Sequence, residues 1–251
     1  MATTLSRRDR VRAATVTEIK DTARRILVAE GPDGLSLRAI AREMGMTAPA
    51  LYRYFPSRED LIGALIADLY DELTAAISIA ASGSTADAVG GAGGETGEGD
   101  PRAGITAASR AFRAWALAHP REFGLLFGSP IPGIDAHSDD SQAGLASERF
   151  GQVFGDLVAR IYLAGPFPVP AEDEMDPELR RQLRDWCSAL PVELPVGAGQ
   201  VFLSCWIRLY GMVAMEVFGH LQFALPDAEP LFEAELRDLA VKLGFGQSTA
   251  P

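Results

Sequence analysis

Residues 35–61 read LSLRAIAREMGMTAPALYRYFPSREDL. Ser36 suits an N-cap, and Ala39, Ile40 and Met44 fall on the inward face of the short helix it would open. Gly45 supplies the left-handed residue that stops that helix. Thr47 caps a second short helix over Ala48–Tyr54, with Pro49 tolerated in its first turn. Ile40, Met44 and Leu51 can pack the two helices together. Two short helices joined through Gly45-Met46 are the helix-turn-helix arrangement, whose second helix enters the DNA major groove. By composition alone, any knot of three helices can show this spacing, so the DNA reading leads only modestly.

Working outward, a helix is expected from Thr17 to Glu30. Ile19, Ala23, Ile26 and Leu27 share one face, and Gly31-Pro32 ends it. On the other side, Ser57 and Asp60 have the spacing of a capping box. Leu61, Leu65, Leu69, Leu73 and Ile77 then form the apolar stripe of a long helix. Residues 1–16 form a basic N-terminal arm carrying Arg7, Arg8, Arg10 and Arg12. It is either a disordered tail or an added DNA contact. The net charge is −11, yet residues 1–60 hold 11 Lys and Arg against 8 Asp and Glu. A basic head on an acidic body predicts that only the head meets a polyanion.

The remaining chain divides into a connecting helix (63–80), a flexible Gly-rich insertion (81–104) and a helical C-terminal domain (105–245). The insertion has no aromatic residue and one large aliphatic, Val89, too little to offset its ordering entropy. Helices follow at about 105–118, 121–128, 143–164, 177–189, 197–222 and 227–243. The helix at 197–222 is apolar on nearly all sides and is therefore expected to be central. No sustained strand alternation occurs, so the fold class is all-α. Nothing resembles a secretory signal, and no apolar stretch is long enough to be expected to span a bilayer. Cys187 and Cys205 have no motif spacing, which fits a reducing, cytoplasmic setting.

Chemistry concentrates in the second short helix. Small residues at its start (Thr47, Ala48, Pro49) allow close approach to base edges, and Arg53 can pair with guanine O6 and N7. Tyr54 is also expected to be exposed on this helix, and the Thr47 and Tyr52 hydroxyls, Arg38 and the helix N-terminus near Arg58 suit phosphate contact. No nucleophile–base set, phosphate-binding loop or metal spacing is present, so neither catalysis, nor a cofactor, nor a metal is expected. His119, His137 and His220 are scattered, and Asp139-Asp140 reads as a solvated loop.

The segment 17–69 closely resembles the DNA-binding domain of the tetracycline-repressor (TetR) family. The resemblance rests on Ala29-Glu30-Gly31, Leu35 through Ala41, Gly45, Leu51-Tyr52, Tyr54-Phe55, Ser57 and Glu59-Asp60-Leu61. It implies an all-helical homodimer with three N-terminal helices on DNA and a regulatory body. The implied DNA-contacting residues are Arg38, Thr47, Ala48, Pro49, Tyr52, Arg53, Tyr54 and Arg58, while Phe55 looks like core. Trp206, Gly211, Glu216 and Gly219 resemble the Trp-x-x-x-His-Gly segment of one TetR-like C-terminal type, with Tyr210 in place of the His. The resemblance implies a repressor released from a palindromic operator by a small effector; the alternative is a non-specific architectural DNA binder with no effector switch. Phe112, Trp115, Phe123, Phe127, Trp186 and Phe202 are candidate pocket residues, although such aromatics are more often core. Leu236, Leu239 and Leu243 are assigned to a dimer interface built from the last two helices.

Overall fold

The computed structural model describes residues 6–83, 100–131, 141–188, 190, 192 and 194–246. Among them only helices and connecting turns occur, in the order α1 (Arg7–Glu30), a 3-10 turn (Pro32–Gly34), α2 (Leu37–Glu43), α3 (Ala48–Tyr52), α4 (Arg58–Gly83), α5 (Pro101–Ala118), α6 (Pro120–Phe127), α7 (Gln142–Ala164), α8 (Pro177–Ser188), α9 (Val196–Val217) and α10 (Glu229–Lys242). Two compact units result. One joins the chain up to Glu72 with His119–Arg149; the other joins Leu73–Ala118 with the chain from Phe150 onward.

The first unit is organised by α1. Ile19, Ala23, Ile26 and Leu27 are buried on one face, as their spacing predicts. Leu37 and Ile40 of α2, which contacts α1, Leu51 of α3, and Leu61, Leu65 and Leu69 of α4 are buried as well. Ser36 caps α2 by accepting from the Ala39 amide at 3.1 Å. Ser57 accepts from the Asp60 amide at 3.0 Å and donates to the Asp60 carboxylate at 2.7 Å. Gly45 has φ +65°, and a Cβ there would touch nothing within 4 Å. Backbone conformation rather than space therefore calls for glycine at the turn.

Two expectations change here. The helix placed at Thr17 begins ten residues earlier, so the arm is helical from Arg7. Ser6 provides the start, accepting from the Asp9 amide at 3.2 Å and donating to the Asp9 carboxylate at 2.7 Å. The insertion assigned to 81–104 is shorter at both ends: Ala81, Ser82 and Gly83 finish α4, and Pro101–Gly104 form the first turn of α5, led by Asp100. Its remainder, residues 84–99, lies outside the described residues, as do His137, Asp139 and Asp140.

Charge ties α1 to two other helices of the first unit. Arg24 of α1 donates to Glu72 of α4 at 2.5 Å and to Glu122 of α6 at 3.0 Å. Lys20 pairs with Asp68 of α4 at 2.5 Å. The Glu122 residue is only 4% exposed. Beside it Tyr70 donates to the Leu126 carbonyl at 3.4 Å and meets the Phe127 ring edge-on at 5.7 Å.

In the second unit, Phe112 of α5, Phe150 and Phe154 of α7, and Trp206 of α9 form one aromatic cluster with centroids 5.6–6.5 Å apart. A Cβ on Gly199 would stand 2.5 Å from Cys187 Sγ, so glycine lets α8 approach α9. Arg113 grips Glu216 of α9 through two bonds of 2.7 and 2.8 Å. α9, expected to be central, packs with α5, α8 and α10, yet Ile207 and Met215 on it and Phe218 just beyond it are exposed. No helix among the described residues is long and apolar enough to cross a membrane.

Arg24→Met should strand the buried Glu122 carboxylate and lower stability by about 2–4 kcal/mol. Chemical denaturation measures this, and Arg24→Met with Glu122→Leu should regain part of the loss.

Candidate nucleic-acid interface and apolar cleft

α3 is five residues long, and everything it exposes follows from the burial of Leu51. That side chain is fully buried, together with Phe55 just beyond the helix. The opposite side then carries Thr47, Pro49, Tyr52 and Arg53, all exposed, with Ala48, Ala50 and Tyr54 half-buried. Arg38 is exposed in the first turn of α2. A face of small residues ending in a phenol and a guanidinium can approach base edges closely and offer donors to guanine and to phosphate oxygens.

Three residues behave differently from expectation. Thr47 occupies the N-cap position of α3, but its side chain makes no capping bond. Arg58 is half-buried and engaged by its own chain: its guanidinium donates to the carbonyls of Leu35 at 2.8 Å and Pro32 at 2.9 Å. This pins the turn before α2 to the start of α4. Tyr54 is covered on one face by Arg12, whose guanidinium carbon lies 5.3 Å from the ring centroid. Arg12 was not singled out as a contact to α3, because only the unexpected length of α1 brings it there.

The second unit contains a narrow apolar cleft of about 40 Å³. Phe154, Phe202, Trp206 and Leu209 line it, together with Leu236 and Leu239 of α10 and Leu243 just beyond that helix. Thr106 and Ser109 supply its hydroxyls, but these donate to their own helix at Arg102 O (3.0 Å) and Ile105 O (2.8 Å). Burial pushes the thiol pKa of Cys205, also in the lining, above its usual range.

Of the six candidate pocket aromatics, Phe202 lines this cleft. Phe112 stands behind it, 5.6 Å from Trp206, and Trp186 stacks on Phe202 at 5.7 Å. Trp115 is buried on α5. Phe123 and Phe127 pack on each other at 4.9 Å in the first unit and belong to a different core. Leu236, Leu239 and Leu243, expected at a dimer interface, are all buried inside the protomer, at 6%, 5% and 3% exposure. A leucine stripe looks the same in sequence whether it faces its own core or a second chain. Phe154, Trp206 and Leu209 were missed because nothing in their spacing separates cleft from core.

Comparison with known proteins accounts for this arrangement. Residues 19–65 match the family described as bacterial regulatory proteins, tetR family, and residues 105–239 match the tetracyclin repressor-like C-terminal domain. The chain belongs to the TetR family. It is 31% identical over 238 residues to the HTH-type transcriptional regulators Mb1846 of Mycobacterium bovis and Rv1816 of Mycobacterium tuberculosis, covering 90% of this chain and 91% of each relative. The crystal structure of regulatory protein SCO4313 superposes with a TM-score of 0.70 at 32% identity, covering 93% of this chain and 98% of that one. A protein of unknown function from Rhodococcus sp. RHA1 shares the fold, with a TM-score of 0.63 at 22% identity, covering 90% of this chain and 93% of that one. This TetR-family chain is thus a helix-turn-helix, DNA-binding transcriptional regulator.

Arg58→Met should destabilise the free protein by about 1–2 kcal/mol through the loss of two charge-assisted bonds. The melting temperature without DNA checks this, since a residue that serves only DNA contact would leave it unchanged.

Proposed function

We propose that this regulator is a homodimeric repressor whose two α3 helices read a palindromic operator, and that a small apolar effector bound in the cleft releases it. The observation that carries the operator reading is the exposed pair Tyr52 and Arg53 set against the fully buried Leu51. Arg53 reads guanine, the small residues Thr47, Ala48 and Pro49 seat α3 in the groove, and Arg38, Tyr52 and Tyr54 contact phosphate. Arg58 supports the interface from behind, through the turn that it pins.

The dimer face is the exposed side of α9 rather than the buried leucines of α10. Ile207 is 66% exposed, and Gly211, Met215 and Phe218 follow it at helical spacing. A Cβ at Gly211 would meet nothing within 4 Å among the described residues. Glycine inside a helix costs about 1 kcal/mol relative to alanine, and no packing within the protomer accounts for it here. A second copy crossing closely at Gly211 does. Ile207→Glu with Met215→Glu should turn the dimer into a monomer of unchanged helicity, as read by sedimentation and circular dichroism.

The effector is apolar in the part that enters the cleft, because the lining is mostly apolar side chains and the Thr106 and Ser109 hydroxyls have given their protons to their own helix, leaving only acceptor lone pairs. Such a ligand switches DNA binding only if it binds the DNA-incompetent arrangement more tightly than the competent one.

The test is to sequence genomic fragments retained by the purified protein at near-physiological salt, beside an Arg53→Ala Tyr52→Phe variant. A shared palindrome enriched by wild type, and lost or altered in the variant, is the expected result. Its half-sites should lie about 34–36 Å apart or a multiple of that. Fragments without a common sequence would replace this reading with an architectural one.

A further inference from the structure

The first turns of α1 are an unusual use of a helix. Residues 6–14 are exposed on every side, including Val11 at 59%. Nothing apolar is buried there to stabilise the helix, and isolated helical turns of this length are marginal in water. The stretch persists as the continuation of a long helix, helped by the Ser6 cap and by Thr15 donating to the Val11 carbonyl at 3.0 Å. It holds four arginines, Arg7, Arg8, Arg10 and Arg12, against one acid, Asp9, which is engaged by the Ser6 hydroxyl. None of the four guanidinium groups forms an ion pair with another described residue. A solvated helix normally alternates its charges; this one leaves its cations uncompensated.

Its position supplies the purpose. Arg12 stacks on Tyr54, the residue that follows the exposed Tyr52 and Arg53. The basic segment is therefore anchored beside the C-terminal end of α3. Residues 7–14 extend for about 12 Å as a helix, comparable with the width of the major groove. We propose that this basic extension of α1 is a second DNA-binding element, in which Arg7, Arg8 and Arg10 hold backbone phosphates flanking the bases read by α3, while Arg12 fixes the extension to Tyr54. The inference rests on the operator reading above and adds contacts outside the helix-turn-helix. Phosphate contacts of this kind raise affinity and set register without adding base preference.

The test uses the full-length protein and two duplexes: the enriched palindrome alone, and the same palindrome with about 15 flanking base pairs on each side, titrated across a salt series. The variant is Arg7→Gln Arg8→Gln Arg10→Gln, since glutamine keeps helix propensity close to that of arginine. Its charge-preserving partner is Arg7→Lys Arg8→Lys Arg10→Lys. Each phosphate contact contributes about 0.9 to the slope of log affinity against log salt, so the glutamine variant of a dimer should bind the flanked duplex with a slope shallower by roughly 3 to 5. Its affinity should fall at least tenfold at low salt, while the lysine variant keeps most of the slope. Wild type should prefer the flanked duplex, and the glutamine variant should not. An unchanged slope, with or without a drop in affinity, overturns the proposal while leaving the operator reading intact. Wild type that retains no duplex at any salt overturns the operator reading itself.

Discussion

The buried carboxylate of Glu122 is the constraint on which the first unit depends. A carboxylate removed from water must be paired, and its partner is Arg24, which Glu72 also holds. The Arg24 guanidinium is shifted above its ordinary value, first by the hydrogen bond to Glu72 and then by the bond to Glu122, against the opposing effect of burial. It stays charged wherever the protein is folded. One side chain on α1 therefore orients α4 and α6 together, with Lys20 adding a second tie to α4 one turn earlier. Apolar packing alone would allow these helices to slide; a guanidinium with two fixed acceptors does not.

That framework leaves little freedom at the helix-turn-helix. α1 supplies the floor for α2, Gly45 permits the turn, and Arg58 draws the Pro32 and Leu35 carbonyls toward the start of α4. α3 is too short to be stable by itself, so its place is set by Leu51 and Phe55 in the shared core. A recognition surface held from behind can spend its outward residues on a partner. Thr47 is an example, as its hydroxyl takes no part in capping.

The second unit distributes apolar surface over two tasks. α10 turns its leucines inward onto the cleft, and α9 contributes Phe202, Trp206 and Leu209 to the same cleft while exposing Ile207 and Met215 on its other side. Arg208 of α9 pairs with Glu235, and Arg110 of α5 with Glu233, so α10 is fixed by charge as well as by its leucines. An apolar lining held this way offers shape rather than directed hydrogen bonds.

Much was legible in the chain alone. The helix order, the stripe Leu61–Ile77, the Ser36 and Ser57 caps, the Gly45 turn and the family resemblance were all readable, because periodicity, capping and turn chemistry act over four or five neighbouring residues. Direction was not. Leu236, Leu239 and Leu243 show the same spacing whether they face a cleft, a core or a second chain, and the aromatics of 105–202 divide between two cores that no local pattern separates. Arg58 and Arg12 carry the same charge as Arg53, yet one grips carbonyls more than twenty residues away and the other lies on an aromatic ring. Which segments are helical, and which family they compose, follows from local order along the chain. Which face of each helix meets core, cleft or solvent follows from packing in three dimensions, because that choice depends on contacts between residues far apart along the chain.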